Sequence, residues 1–327
     1  MLAFSYAAEP DTATALKLSG ADANAAFIAG GTDLLQLLQE AVIAPRILID
    51  INALPLSGVR IDEGTARIGA LTRLSDVADD AGIRRHFPLL AQALLETASP
   101  QVRNMATVGG NLLQRTRCLY FRDATVPCNK RQPGSGCPAQ DGLNRINAIF
   151  GGSEHCIAAY PGDMATALIA LDAEIVVQNT QGERRIRLAD LYRLPGDTPQ
   201  LETTLAPGEL ITAVLLPPND AGEHSHYLKL RDRASFEWAL ISVAVALDMD
   251  ATQIRKARIV AGGVGTRPWR LAQVEDALQG RSLTPAQARQ AGDLSGDGAA
   301  PRSGNAFKVP MLKRAVERAL LMAGGIA

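Results

Sequence analysis

The stretch FIAGGTDLLQLLQEAVIAPRILIDI, residues 27–51, decides the fold at the N-terminal end of the chain. Its paired glycines, Gly30 and Gly31, predict a turn, and the leucines that follow at 34, 35, 37 and 38 supply the apolar face of a helix. The segment ILIDI, residues 47–51, follows as a short predicted strand. We therefore expect residues 1–55 to form a small α/β unit.

The rest of the chain divides into two further parts. We place the second at 56–220 and the third at 224–327, which begins at the polar break PPNDAGEHSH. Residues 100–162 of the second part predict loops. Residues 239–249 form a largely apolar run that fits a helix or a strand, and residues 295–305 predict a mobile loop. Periodicity predicts helices at 87–99, 163–173 and the C-terminal end, and strands at 66–71, 174–179, 208–218, 227–233 and 257–264.

The composition excludes several classes of partner. The chain has 327 residues with 47% hydrophobic content, a net charge of −1 and only 4% aromatic residues, so we expect no nucleic-acid partner. No apolar run reaches the roughly 18 residues that a membrane-spanning helix needs, so we expect no membrane insertion. The opening segment MLAFSYAAEPDTATAL lacks the basic and apolar regions of a signal peptide, which predicts synthesis in the cytoplasm without an export signal.

The cysteines are concentrated in one segment. Cys118, Cys128 and Cys137 lie in RTRCLYFRDATVPCNKRQPGSGCPAQ, residues 115–140, and Cys156 follows. Unpaired core cysteines fit poorly with the turn-forming, polar surroundings, and two disulfides fit poorly with the absent signal. A structural zinc and an iron–sulfur cluster remain. The spacing favours a metal or cluster site without distinguishing zinc from iron.

Basic residues surround these cysteines. Arg115, Arg117, Arg122, Lys130 and Arg131 are opposed locally only by Asp123. Four thiolates around either metal centre leave a net negative charge, which these cations would offset. The alternative interpretation is an ordinary solvated surface.

Two glycine loops predict a diphosphate-binding site. They are AGGTDLL, residues 29–35, and RNMATVGGNLLQR, residues 103–115. Glycine turns at helix starts bring backbone N–H groups close to an anion. The alternative for the first loop is a plain turn with Thr32 as a helix cap. Neither loop has the spacing of a Rossmann fingerprint or a P-loop, and we find no nucleophile–base pair, so we predict no catalytic residue.

Five motifs together resemble a known family. They are the first glycine loop, PQVRNMATVGGNLLQ (100–114), YPGDMATALIALDA (160–173), YLKLRDRASFEWALISVAVAL (227–247) and AGGVGTRPWR (261–270). Together they resemble the FAD-binding subunits of the molybdenum hydroxylases, which is the xanthine dehydrogenase and aldehyde oxidase family. The cysteine segment, which we bound at 115–157, resembles an insertion that binds [4Fe–4S] in a minority of these subunits. The segment most resembles the insertion in the FAD subunits of bacterial periplasmic aldehyde oxidoreductases. The comparable insertion in the flavin subunits of 4-hydroxybenzoyl-CoA reductases is the near alternative.

The resemblance implies an α+β protein. Residues 1–55 and 56–220 would form the two subdomains of a vanillyl-alcohol-oxidase-type FAD-binding fold. Residues 224–327 would form a C-terminal α+β domain like that of the CO dehydrogenase flavoproteins.

The resemblance also implies roles for single residues. Asp163 would bind a cofactor hydroxyl, Lys229 would reach the flavin or its ribityl chain, and Ile157 would pack near the isoalloxazine. From the residues alone, Asp163 is better explained as a helix cap, and Lys229 is explained equally well as an exposed strand lysine. Cys118, Cys128, Cys137 and Cys156 would ligate the cluster. The FAD diphosphate and flavin end would be held by Ile28, Ala29, Gly30, Gly31, Thr32, Asp33, Leu34, Thr107, Gly110 and Asn111.

The implied function is electron transfer within a heterotrimeric oxidoreductase. A large molybdopterin-binding subunit would oxidise an aldehyde, a small [2Fe–2S] subunit would relay the electrons, and this chain would pass them to an external acceptor. A xanthine dehydrogenase-like complex is an alternative, and a zinc-stabilised binding module without redox activity is an alternative of another class. The resemblance implies a periplasmic complex, co-exported with a signal-bearing partner; otherwise the protein would remain in the cytoplasm.

Overall fold

Residues 5–50 form a three-stranded parallel sheet in the computed structural model, which describes residues 2–326. Helix α1 starts where the Asp11 carboxylate accepts a hydrogen bond from the Thr14 N–H at 2.9 Å, as a helix cap does. The predicted α/β unit is therefore present, with the spatial strand order β1-β3-β2. Its elements are β1 (Ser5–Ala8), α1 (Thr12–Ala21), β2 (Ala25–Ile28), α2 (Leu34–Gln39) and β3 (Ile47–Asp50).

A five-stranded antiparallel sheet follows, in the order β4-β5-β8-β6-β7. One of its faces packs against helices, and all eight residues of α9 are buried. The strands are β4 (Val59–Asp62), β5 (Thr65–Gly69), β6 (Glu174–Asn179), β7 (Gly182–Arg187) and β8 (Leu210–Leu216). The helices are α3 (Leu74–Asp79), α4 (Ala81–His86), α5 (Pro88–Leu95), α6 (Pro100–Arg103), α7 (Val108–Leu112), α8 (Leu119–Arg122), α9 (Asp163–Ala170) and α10 (Leu188–Leu191).

The last part carries a four-stranded antiparallel sheet in the order β12-β11-β10-β9. The ambiguous run at 239–249 belongs to β10, and it lacks a clear period because both its faces are buried. Ala244 and Ala246 join the core of the second part, whereas Val243, Val245 and Leu247 join the C-terminal core. The elements are β9 (Ser225–Leu230), β10 (Ile241–Asp250), β11 (Gln253–Gly262), β12 (Trp269–Arg270), α11 (Ala272–Leu278), α12 (Pro285–Leu294) and α13 (Lys308–Ala323).

In the part of the chain from residue 2 to 326, the helices are too short or too polar to cross a bilayer.

The loop predicted at 295–305 is present. Both ends of this segment are anchored, because Ser295 and Asn305 are fully buried. The Asn305 amide donates to the carbonyls of Asn147 and Ala148 at 3.3 Å each. Buried amide bonds of this kind oppose local opening, so the segment joins the C-terminal domain to the end of the cysteine segment.

The same junction holds a fully buried lysine without an acidic partner. Lys308 Nζ donates to the carbonyls of Asn147 (3.0 Å) and Gly263 (2.8 Å). Burial, assisted by the Arg145 charge, lowers the pKa of Lys308 to about 7 from the ordinary 10.5.

We expect this lysine to make stability rise with pH. Between pH 7 and 10.5, Lys308 is neutral in the folded protein and protonated in the unfolded chain. The unfolded state therefore binds more protons, so the folded state becomes relatively more stable as pH rises. The free energy of unfolding of the wild type, relative to Lys308→Met, should increase by roughly 1 kcal/mol per pH unit above pH 7. Urea unfolding at several pH values measures this difference. Lys17→Met, at an exposed site on α1, is the control; parallel pH curves for the wild type and Lys308→Met would contradict the prediction.

Candidate functional site

A cavity of about 310 Å³ is lined by residues from all three parts of the chain. Residues 29–34 of the first glycine loop form one wall. Thr107 and residues 109–111 of the second loop form another, and Lys229 of β9 lines it from the C-terminal domain. The two loops singled out from the sequence therefore face one space.

The two glycine loops touch directly through their backbones. A Cβ atom built on Gly30 would lie 1.9 Å from the Met105 carbonyl oxygen and 2.7 Å from the Met105 carbonyl carbon. Only glycine permits this approach. The interpretation of Thr32 as a helix cap is wrong, because Asp33 occupies the cap position of α2 and its side chain makes no capping bond. The first loop is therefore shaped by contact with the second loop and not by a local cap.

Asp163 and Lys229 meet at the cavity wall as a buried ion pair. Lys229 Nζ lies 2.8 Å from Asp163 Oδ2, and their side chains are 1% and 4% exposed. The Tyr227 hydroxyl donates to Asp163 Oδ1 at 2.7 Å, and Lys229 also donates to the Glu96 carbonyl. Burial raises the pKa of Asp163, and the Lys229 ammonium opposes that rise. Both local interpretations are wrong, since Asp163 does not cap α9 through its side chain and Lys229 is not exposed.

The lining fits an extended dinucleotide such as FAD. Asn111 Oδ1 is buried at the cavity without a hydrogen-bond partner. A buried acceptor of this kind requires a donor, and the ribityl hydroxyls and the flavin ring both offer one. The Gly30 contact leaves the turn backbone bare on its cavity side, as close approach to a diphosphate needs.

Two of the residues predicted to bind FAD do not line this cavity. Ile28 ends β2, where its carbonyl accepts from the Ile51 N–H at 3.0 Å. Ile157 is 4% exposed and packs with the cysteines instead, where its carbonyl accepts from the Ala148 N–H. The Ile157 side chain therefore belongs to the core around the cysteines, whereas Ile28 is half-buried at the end of β2.

An aromatic wall of the cavity was not predicted from the sequence. Phe236 and Trp238, in the loop between β9 and β10, line it and are 52% and 44% exposed. The Arg117 guanidinium lies over the Trp238 ring, 4.6 Å from its centroid, as in a cation–π pair. Two aromatic residues in an otherwise polar loop were the available signal.

The four cysteine side chains line one small cavity of about 10 Å³. All are free thiols, and Cys118, Cys128 and Cys156 are buried in an apolar cluster that includes Leu37 of α2. The expectation of non-core surroundings is wrong, because the folded loop supplies its own apolar cover. Of its turn-forming residues, Pro127 and Pro138 line the cavity with the cysteines, whereas Pro133, Gly134 and Gly136 do not.

Hydrogen bonds reach two of the sulfur atoms. The Asn147 amide donates to Cys118 Sγ and the Ala158 N–H donates to Cys156 Sγ, both at 3.5 Å. Burial raises the pKa of Cys156 to about 11, so a metal would have to displace that thiol proton. Within residues 2–326, no three His, Cys, Asp or Glu side chains are grouped closely enough to hold a single metal ion.

Four of the five basic residues of the cysteine segment are paired with acids far away in sequence, and Arg131 donates to backbone carbonyls of the segment itself. Asp33 accepts from Arg117 at 2.6 Å and from Arg122 at 2.7 Å, and Glu202 pairs with Arg115 and Lys130. The alternative of a solvated surface is therefore wrong for these four residues, and the acids that oppose them lie outside the segment, in which Asp123 is the local acid. Asp33 connects the wall of the large cavity to the helix that starts at Cys118.

Family comparisons agree with this architecture. Residues 2–219 match the family described as the FAD binding domain in molybdopterin dehydrogenase. Residues 226–323 match the CO dehydrogenase flavoprotein C-terminal domain. The predicted α+β FAD-binding fold with a C-terminal domain of the CO dehydrogenase kind is thereby confirmed.

Individual proteins match over nearly the whole chain. The aldehyde oxidoreductase FAD-binding subunit PaoB of Escherichia coli is 45% identical over 322 residues, which cover 98% of both chains. The nicotinate dehydrogenase FAD-subunit of Eubacterium barkeri is 28% identical over 80% of this chain and 74% of its own. A chain of the carbon monoxide dehydrogenase structure from Hydrogenophaga pseudoflava superposes with a TM-score of 0.79 at 26% identity, covering 100% of this chain and 99% of its own. The chain therefore belongs to the family of FAD-binding subunits of the molybdopterin dehydrogenases, as its sequence predicts.

Proposed function

We propose that this chain is the FAD- and [4Fe–4S]-containing electron-transfer subunit of a molybdenum-dependent aldehyde oxidoreductase. The observation that carries the proposal is the adjacency of two cavities. Arg117 lines the large cavity, and the next residue, Cys118, lines the thiol cavity. One short segment thus contributes to both proposed cofactor sites.

The FAD site we propose is the large cavity. Residues 29–34 and Thr107, Gly110 and Asn111 would hold the diphosphate and the flavin end. Asp163 and Lys229 would contact hydroxyl groups of the cofactor, with Tyr227 holding the carboxylate in place. FAD, when bound, supplies the exchange between two-electron and one-electron chemistry, and the side chains described here orient it.

The cluster site we propose is the thiol cavity, ligated by Cys118, Cys128, Cys137 and Cys156. Support comes from the convergence of the four thiols and from the hydrogen bonds to sulfur, which tune such clusters. A single zinc ion needs four ligands within about 2.3 Å of one point, and the thiols are not grouped in that way. Each thiolate of a [4Fe–4S] cluster binds a different iron, so the four thiolates of such a cluster need not converge on one point.

The proposed complex extends beyond this chain. A molybdopterin-binding large subunit and a [2Fe–2S] small subunit would deliver electrons, and an external acceptor would receive them. The 45% identity to PaoB, the FAD-binding subunit of an aldehyde oxidoreductase, supports an aldehyde as the substrate of the large subunit. We propose the periplasm, reached by co-export with a signal-bearing partner, as the compartment, because the family resemblance of the sequence implies it. We also propose the division at 1–55, 56–220 and 224–327, since each of the three sheets lies within one of these ranges.

Metal and flavin analysis of the purified chain tests the proposal. We expect a yellow-brown protein with one FAD, about four irons and labile sulfide per chain, and no aldehyde oxidation without its partners. Cys156→Ser should remove most of the iron, whereas Thr125→Ser, an exposed change in the same segment, should retain it. A colourless protein with one zinc per chain would contradict the cluster and support the zinc-stabilised binding module instead. Aldehyde turnover by the isolated chain would contradict the electron-transfer role.

A further inference from the structure

Asp33 joins the two proposed sites through a dense set of hydrogen bonds. Its Oδ1 accepts from Arg117 Nη1 at 2.6 Å and from Arg122 Nη2 at 2.7 Å, and its Oδ2 accepts from the Arg115 N–H at 2.8 Å. The three side chains are only 15–18% exposed, so solvent screens these bonds weakly. Although burial alone would raise it, the Arg117 and Arg122 charges hold the pKa of Asp33 below its usual range.

The carboxylate makes these distant bonds in place of a local one. Asp33 stands at the N-cap of α2, where aspartate normally accepts from the backbone of the first turn, yet its side chain makes no such bond. Its arginine partners lie 84 and 89 residues further along the chain. The Asp33 carboxylate therefore stabilises the tertiary contact between the first glycine loop and the cysteine segment, and not the start of α2.

Arg122 also holds the backbone just before Cys118. Arg122 Nε donates to the Thr116 carbonyl at 2.9 Å, and its Nη2 also donates to the Arg115 carbonyl at 3.1 Å. Arg117 precedes Cys118 and stacks on Trp238 of the aromatic wall. A shift of Cys118 would therefore be transmitted to Asp33, which adjoins the cavity-lining residues 30–32.

We propose that Asp33, with Arg117 and Arg122, couples the two sites, so that FAD is held tightly only when the cysteine centre is filled. Coupling of this kind is reciprocal, so bound FAD slows loss of metal from the cysteines by the same thermodynamic link. Asp33 is a positioning residue in this scheme. The inference rests on the proposed FAD site and cysteine centre, and it adds a dependence between them.

A double-mutant cycle on the full chain tests the coupling. The four proteins are the wild type, Cys137→Ser, Asp33→Asn and the double variant, and the readouts are the FAD dissociation constant from flavin fluorescence and the metal content. Emptying the centre with Cys137→Ser should weaken FAD binding about tenfold in the wild-type background and less than about twofold in the Asp33→Asn background. Removal of FAD should likewise speed iron release to a chelator in the wild type but not in Asp33→Asn.

Controls separate this coupling from general damage and from a different metal. Asp123→Asn changes an exposed carboxylate of the same segment that bonds only Thr125, and it should keep the tenfold effect. If Asp33→Asn does not retain FAD at all, Arg122→Gln repeats the cycle without altering the glycine loop. An equal effect of Cys137→Ser in both backgrounds overturns the coupling. If the wild type holds zinc, the electron-transfer function fails, yet the same four proteins still measure coupling through zinc release.

Discussion

Gly30→Ala is expected to abolish FAD retention by the purified protein. The added Cβ would fall 1.9 Å from the Met105 carbonyl oxygen, far inside van der Waals contact, and the atoms it meets are backbone that cannot rotate away. The two glycine loops must then separate, which moves residues 29–34 and Thr107 away from each other across the cavity. A displacement of about 1 Å in a positioning element costs about a hundredfold, and we expect the FAD dissociation constant to rise by at least that factor.

Gly20→Ala is the matched control for that change. Gly20 lies in α1, and a Cβ built there meets no heavy atom within 4 Å. Alanine in an exposed helix position adds up to about 1 kcal/mol of stability, so this variant should keep its FAD and unfold at slightly higher temperature. Flavin absorbance after gel filtration gives the stoichiometry of both variants. Full flavin content in Gly30→Ala would contradict the proposed role of the first loop.

The features predicted correctly from the sequence are those whose chemistry is local. Paired glycines such as Gly30 and Gly31 favour a turn in any context, and the second loop has its hydrogen-bond donors within a few residues of one another. Strand β6 was predicted with its observed bounds because its apolar run is short and enclosed by polar residues. These patterns can be interpreted without knowing which residues far away in sequence pack against them.

The features predicted wrongly depend on partners far away in sequence. Asp163 and Lys229 are separated by 66 residues, and each was given a local role because its own neighbours permit one. The cations of the cysteine segment pair with Asp33 of the first part and with Glu202, which lies 72 residues after Lys130 in the second part, and both acids come near them only on folding. Likewise, β10 has no readable period because it is buried between two cores.

Lys229→Met is expected to cost about 3–5 kcal/mol of folding stability in FAD-free protein, because it leaves the Asp163 carboxylate buried without its counter-ion. The pair is 1% and 4% exposed, and the Tyr227 hydroxyl alone cannot replace a full charge. The double variant Asp163→Asn/Lys229→Met removes both charges and should recover part of that loss. Arg187→Met breaks a pair that is 74% and 52% exposed, and it should cost less than about 1 kcal/mol. Urea unfolding measures all four proteins, and an equal cost for Lys229→Met and Arg187→Met would contradict the prediction.

Repeating the unfolding with saturating FAD separates two roles of the Asp163–Lys229 pair. A ligand stabilises a protein in proportion to the logarithm of its concentration over its dissociation constant, so FAD raises the stability of every variant that still binds it. If the pair only supports the wall, the double variant should gain as much from FAD as the wild type does. If Asp163 and Lys229 contact the cofactor, as we propose, FAD stabilises the double variant less than it stabilises the wild type. The difference in stabilisation should exceed about 1.4 kcal/mol, which corresponds to tenfold weaker FAD binding. Their position on the cavity lining, with Lys229 approaching from the C-terminal domain, favours the second result.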